Sequence, residues 1–309
     1  TDISVNGPRG AISIQRTMRT MSVQAGPFGP GTNHNYSTRL DTNNPVGALI
    51  INLITPDGNR IPFVLDVSGD LVNNTVPTFR GARMTVAASG EVDLRVKNGS
   101  VFHFIPATVL LGSVLTSVTD ANGNVITLTR NPASLAQITE IIDPVGRKLT
   151  LDYDAGNRIT QIIDPLSRRV NYSYNAQGRL ATVKDPVGNV TTYAYDGLNR
   201  LEQVTDARGV VVAQNTFDVN GRVISQLQAD GGVVNFTYTL LNPLVAASPV
   251  LQSTITDPLG NVTTYRFNTQ GMLVDVTDAQ GQARIFDREP GSNVIMGISG
   301  SASCSVCGN

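Results

Sequence analysis

The sequence predicts an all-β protein: antiparallel β-hairpin repeats of about 21 residues that form a spiralling or curled sheet, preceded by a β-meander. Three observations carry this. Asp143, Asp164, Asp185 and Asp206 stand 21 residues apart, and the first three open an Asp-Pro turn: Asp143-Pro144-Val145-Gly146, Asp164-Pro165-Leu166-Ser167 and Asp185-Pro186-Val187-Gly188. Some ten residues after each Asp, an aromatic residue leads into a second polar turn, as in Tyr153-Asp154-Ala155-Gly156-Asn157-Arg158 and Tyr195-Asp196-Gly197-Leu198-Asn199-Arg200. Finally, the composition is turn-rich and poor in charge, with 29 Gly, 16 Pro, no Trp and 15% charged residues. Such a fixed period decides the architecture before any local propensity does.

Taken in order, the chain divides into an N-terminal β-meander and opening region (1–112), a repeat array (113–290) and a polar tail with a Cys-x-x-Cys pair (291–309). Residues 12–18 alternate and can form a strand. Residues 26–36 are dense in Gly and Pro and read as a loop, with Phe28 and Tyr36 pinning it to the body. Short strands are expected near 48–55, 61–67, 83–88, 92–96 and 101–105, between turns such as Pro56-Asp57-Gly58-Asn59. In these turns Pro presets φ, and Asn and Gly accept positive φ. Residues 132–139, with an early Pro and Ala-rich filling, are expected to form a short helical turn or a loop. The array then runs from Asp143 to Asp230, with an insertion of about three residues near 210–215. It breaks at 240–249 and resumes at Asp257 and Asp278, again 21 apart. Its turn residues are Asp143, Gly146, Asp164, Asp185, Gly188, Asp206, Gly209, Asp257, Gly260, Asp278 and Gly281. Within a unit, 189–195 alternates β-formers, the turn at 196–199 reverses the chain and 200–205 returns antiparallel. One hairpin is marginal in water, whereas stacked hairpins bury a face together.

These residues resemble the RHS/YD-repeat family, whose unit reads roughly Tyr-Asp-x-x-Gly-Arg-Leu-x-x-Val-x-Asp-x-x-Gly-Asn. Residues 195–209 follow it with Asn199 in place of the Gly, and 153–164 and 267–278 are similar. The opening, with Gln15-Arg16-Thr17-Met18, Gly26-Pro27-Phe28-Gly29-Pro30-Gly31 and His34-Asn35-Tyr36, is similar to the start of such proteins. The resemblance implies a β-sheet shell or solenoid, in secreted or surface proteins of bacteria and, in animals, teneurins. In toxin members it implies a shell around a C-terminal effector, beyond an autoproteolytic plug that nothing in this chain matches.

Several function classes drop out. A net charge of −1 lacks the basic face of a nucleic-acid binder, and no apolar run reaches membrane-span length. The repeated carboxylates invite acid–base or calcium readings, but Asp at a turn accepts a backbone hydrogen bond two residues on, and a calcium loop's remaining ligands are missing. No catalytic, cofactor or metal residues are assigned. The repeat aromatics Tyr153, Tyr174, Tyr195, Phe217, Tyr238 and Phe267 read as cross-strand packing, with a sugar-binding surface as the other reading. His34 and His103 read as loop or strand residues. Arg158, Arg179, Arg200 and Arg222 form a solvated stripe or pair with turn Asp residues. Cys304 and Cys307 are half of a zinc knuckle at most, and point to a local or interchain disulfide if the protein is secreted. A start at Thr1, with neither Met nor signal peptide, reads as a processed product or a fragment.

The expectation is therefore an extracellular or cell-surface structural protein, non-enzymatic, forming a β-sheet shell or assembling into a surface fibre or adhesive structure. Its partners would be further copies through sheet edges, an encapsulated or downstream polypeptide, or a surface carbohydrate. The alternative is the N-terminal shell part of a polymorphic toxin that encapsulates a C-terminal effector.

Overall fold

In a computed structural model, residues 1–19 and 22–300 are described, and they divide into two compact units, Thr1–Thr192 and Tyr193–Asn309. Among the described residues the only helix is a 3-10 turn at Pro77–Phe79, and none is long and apolar enough to cross a membrane.

The first unit opens with two small hairpins, β1 (Ile3–Val5) with β2 (Ile12–Ile14) and β3 (Arg16–Met18) with β4 (Thr32–His34). The single strand expected over 12–18 is thus two strands in different sheets, and the supposed loop at 26–36 contains β4. Pairing with Arg16–Met18 gives Thr32–His34 a ladder despite the surrounding glycines, which local propensity could not show. Phe28 and Tyr36 do pin this segment, at 0% and 7% exposure.

A meander follows: β5 (Arg39–Leu40), β6 (Ile50–Ile54), β7 (Arg60–Leu65), β8 (Leu71–Asn73), β9 (Ala82–Val86), β10 (Val92–Arg95), β11 (Val101–Thr108) and β12 (Gly112–Thr119). Each pairs antiparallel with the next, and β12 pairs back onto β5 through Ser113↔Leu40 and Val114↔Arg39, so these strands close a ring. Inward residues alternate along each strand, and Ile51, Phe63, Met84, Leu94 and Phe104 fill the interior. Gly112 makes the closure feasible: at φ 75° it sits against β5, where a Cβ would collide with the Leu40 carbonyl oxygen.

The ring is not where the sheet ends. One edge of β12 is taken by β11, and its other edge is shared, residues 113–114 by β5 and residues 117–119 by β13 (Val125–Asn131). The sheet therefore slides past its own beginning and continues as β14 (Ser134–Ile142), β15 (Lys148–Tyr153), β16 (Ile159–Ile163), β17 (Arg169–Tyr174), β18 (Leu180–Lys184) and β19 (Val190–Tyr195). The short helix or loop expected at 132–139 is instead a tight turn and the start of β14. Asn131 Oδ1 accepts from the Ala133 amide at 3.0 Å, and Ile138 and Ile141 are buried on the sheet, so tertiary burial overrides helix propensity.

The opening segment lies on the apolar face of β15–β18. Phe28 packs on Tyr172 with ring centroids 4.8 Å apart, and Asp2 accepts from Arg16 at 2.6 Å and from the Tyr172 hydroxyl at 2.8 Å. Pro27 O takes the Ile159 amide at 2.7 Å, beside the β-bulge at Asp152/Tyr153, and Asn6 O takes Arg147 Nη1 at 2.8 Å. Under this cover Leu149, Leu151, Ile159, Ile162, Val170 and Leu180 are 0–3% exposed.

The second unit continues as an antiparallel meander: β20 (Leu201–Thr205), β21 (Val211–Phe217), β22 (Val223–Gln228), β23 (Val233–Leu240), β24 (Val250–Thr256), β25 (Val262–Phe267), β26 (Leu273–Thr277), β27 (Ala283–Arg288) and β28 (Ile295–Gly300). The expected insertion near 210–215 is smaller than it looked. Asp230 is out of register; Gln228 opens the turn, donating its amide to Gly232 O at 2.8 Å and accepting from the Gly231 amide at 3.0 Å. The break at 240–249 is an excursion only, since Leu240 and Val250 still pair.

Candidate functional site: repeat turns and the aromatic ladder

All the repeat turns share one geometry. At residues 143–147 the Gly146 amide donates to Asp143 O (3.0 Å) and the Asp143 amide to Arg147 O (2.9 Å), a three-residue loop whose last residue lies in the left-handed region. Pro144 suits the first loop position because its ring fixes φ near the value a type I turn needs. The carboxylate completes the structure: Asp143 Oδ1 accepts from the amides of Val145 (3.0 Å) and Arg147 (2.9 Å), and Oδ2 from Arg147 Nε (2.7 Å). Asp164 repeats the set with Leu166 and Arg168. At Asp185 and Asp257 an asparagine, Asn189 or Asn261, replaces the arginine and donates Nδ2 to Oδ2. Asp206 pairs with Arg208, and Asp278 takes the amides of Gln280 and Gln282. Gly146, Gly188, Gly209, Gly260 and Gly281 supply the positive φ; Ser167 takes it at 61°, and Asn157 and Asn199 do so at 59° and 60° in the alternate turns.

The Asp143 and Asp164 side chains are 1% and 0% exposed. Burial works against their charged form, but the hydrogen bonds from Arg147 or Arg168 and from the turn amides outweigh it and hold both carboxyls below the usual range. A carboxylate so saturated keeps its charge at neutral pH and has no acceptor site left for a substrate proton.

The aromatic residues link successive repeats. Tyr153, Tyr174, Tyr195, Phe217 and Phe267 each end a strand, and Tyr238 stands two residues before the end of β23. The Tyr153 hydroxyl donates to Ile138 O (2.9 Å), Tyr174 to Ile159 O (2.5 Å) and Tyr238 to Val223 O (2.8 Å), each 15 residues upstream. A register shift stands immediately before each of Tyr153, Tyr174, Phe217 and Phe267, a bulge that can re-aim the side chain beside it. The turn arginine of one repeat then covers the ring of the next: Arg158 over Tyr174 (4.5 Å), Arg200 over Phe217 (4.3 Å) and Arg222 over Tyr238 (5.7 Å). Asp154 orients Arg158 through Oδ2 at 2.9 Å, so turn, guanidinium and ring form one relay between hairpins.

Two members of the ladder escaped the sequence reading. Arg130 donates Nε to Leu115 O (2.8 Å) and Nη1 to Leu135 O (2.6 Å); Arg288 donates Nε to Leu273 O (2.8 Å) and Nη1 to Asn293 O (2.8 Å). Their acceptors lie at the same offsets, the first again 15 residues upstream, so guanidinium groups replace phenols at these rungs. The signal was present as Arg130-Asn131-Pro132 and Arg288-Glu289-Pro290, a shared Arg-x-Pro. His34 is buried in β4, and His103 on β11 meets Asp93 at 2.7 Å. Cys304 and Cys307 lie outside the described residues.

The sequence pattern of the RHS Repeat family matches residues 137–169, 174–211 and 251–283, and that of the Domain of unknown function DUF6531 matches residues 1–63. No curated protein matches the chain. Among solved structures, the Photorhabdus luminescens Tc holotoxin pore aligns with a TM-score of 0.40 at 12% identity, over 97% of this chain and 16% of that one. A TcdB2–TccC3 structure without its hypervariable C-terminal region aligns at 0.37 and 13% identity, over 93% of this chain and again 16% of the other. A porin-like protein from Bacteroides uniformis gives 0.28 at 14% identity, over 71% of this chain and 90% of that one. The chain thus spans a small fraction of the toxin chains it aligns with. The three matched stretches fall on the hairpins whose turns and ladder are described above, and these stretches of the chain are repeats of the RHS/YD family.

Proposed function

We propose that this chain is a non-catalytic wall segment of an RHS shell, working outside the cell or at its surface. The observation that carries the reading is the shared edge of β12. Because β5 and β13 take different halves of that edge, the sheet spirals past its origin and can lengthen hairpin by hairpin. The saturated turn carboxylates and the Arg–aromatic relay support a load-bearing duty, and no group of metal-ligating side chains stands together among the described residues. Electron microscopy of the purified chain tests the reading. Curved or hollow β-walls, single or joined end to end into filaments, are expected; compact solid particles would count against it. Measurable glycan hydrolysis would overturn the non-catalytic assignment.

A second reading, a shell around an enclosed polypeptide, is favoured by the second unit. There Phe236, Tyr238, Tyr265, Phe267 and Val276 are only half-buried. Such a face suits an apolar chain segment. Protection of a C-terminally fused passenger from protease would support it.

A further inference from the structure

A cleft of about 340 Å³ lies in the first unit between the opening segment and the sheet, at the first rung of the ladder. That volume falls within the range of small-molecule sites. Of the described residues that line it, none is Asp or Glu, whereas Arg39, Arg130 and His34 all do. Ile54, Val114 and Ile138 supply apolar wall.

The polar groups are set for a ligand. Arg130 spends Nε and Nη1 on two carbonyls, and Nη2 has no hydrogen-bond partner and no carboxylate within ion-pair range among the described residues. Arg39 donates Nη1 to Leu111 O at 3.3 Å, while nearby Asp41 is already taken by Arg60 and Asn52. His34 Nδ1 accepts from the Tyr36 amide at 3.1 Å, which places the ring proton on Nε2, and Nε2 has no partner among the described residues. Burial and the neighbouring Arg130 charge push the His34 pKa down to about 3, so the ring is a neutral donor at pH 7. Burial likewise lowers Arg130 to about 10.

Arg288 is the internal control. It makes the same two backbone bonds on its own rung, but the cleft beside it is lined by Asp275, Asp287 and Glu289. A ladder arginine therefore does not by itself require a carboxylate-free cleft. Of these two arginine clefts, the one at Arg130 has no carboxylate among the described residues that line it.

We propose that this cleft binds a small organic anion, its carboxylate or phosphate head held by Arg130 and Arg39 with His34 Nε2–H as a neutral donor, and its apolar body against Ile54, Val114 and Ile138. Planar guanidinium groups match both oxyanion heads. The chain's two histidines give a direct readout by NMR of the ring protons, with His103 as the remote reference. Benzoate and phenyl phosphate are titrated in parallel with sodium chloride at matched ionic strength. The expected result is a saturable His34 shift with one or both organic anions, no matching change at His103, and at least about a tenfold loss of affinity in Arg130→Met. Response to benzoate alone assigns a carboxylate ligand, and to phenyl phosphate alone a phosphate. A linear drift equal to that with chloride overturns the proposal, as does unchanged affinity in folded Arg130→Met. If that variant does not fold, the wild-type titration decides by itself.

Discussion

Replacing Asp164 by alanine tests the claim that the repeat carboxylates are structural. The side chain is fully buried and accepts from the amides of Leu166 and Arg168 at 2.9 Å each and from Arg168 Nε at 2.6 Å. Hydrogen bonds to a charged partner contribute about 1.5–3 kcal/mol each in protein interiors. Here the orphaned amides lie in a turn that water can reach and Arg168 is half exposed, so the net loss should be about 2–4 kcal/mol. Asp206 offers the comparison: it accepts the same two amide bonds, but its carboxylate is 21% exposed and its partner Arg208 77% exposed, so Asp206→Ala should cost clearly less. Asp164→Asn keeps an Oδ1 acceptor for the amides and should fall between Asp164→Ala and wild type. Urea unfolding followed by far-UV circular dichroism reads all three, the Asp164→Ala midpoint dropping by roughly 1 M at a typical slope for this size. Equal losses for Asp164→Ala and Asp206→Ala would refute the link between burial of the turn and its contribution.

Ser167 holds φ 61° where most of its counterparts are glycine, so Ser167→Gly should stabilise by about 1 kcal/mol and raise the melting temperature by a few degrees. Phe28→Ala removes the fully buried ring between the opening segment and Tyr172; a loss of about 3–5 kcal/mol and faster proteolysis within residues 1–36 are expected. Stability should also fall in acid. His34 has its folded pKa depressed to about 3 against an ordinary 6.5, so below pH 6.5 the unfolded chain takes up a proton that the folded chain refuses. That linkage removes about 3 kcal/mol by pH 4.5, and His34→Gln should flatten the stability profile between pH 6.5 and 4.5. Further down, Asp143 and Asp164 act with the same sign: their folded pKa values are depressed, so their contribution is lost as pH falls through them, and unfolding should steepen below pH 4.

What the sequence by itself determined about this protein was its local grammar. Asp-Pro turns, the ten-residue offset to each aromatic and the antiparallel return follow from φ preferences and β-alternation, which act over a few residues. Hence Asp143 to Asp206 could be read as hairpin turns directly, and the meander of β6–β11 was legible from its Asp-Gly, Ser-Gly and Asn-Gly signals. Tertiary structure decided everything that depends on distant pairing. Leu40 meets Ser113 across 73 positions, and only there does Gly112 acquire its reason. Residues 134–139 became strand because Ile138 and Ile141 found a sheet to bury against, which outweighs helix propensity. Asp230 looked like a repeat residue and was displaced by Gln228, since register is fixed by the neighbouring strands rather than by residue type. Arg130 and Arg288 hid among ordinary arginines because a rung is defined by the carbonyl 15 residues upstream. The cationic cleft was invisible for the same reason: His34, Arg39 and Arg130 are scattered in sequence, and only the fold of the opening segment over the sheet brings them to line one cleft.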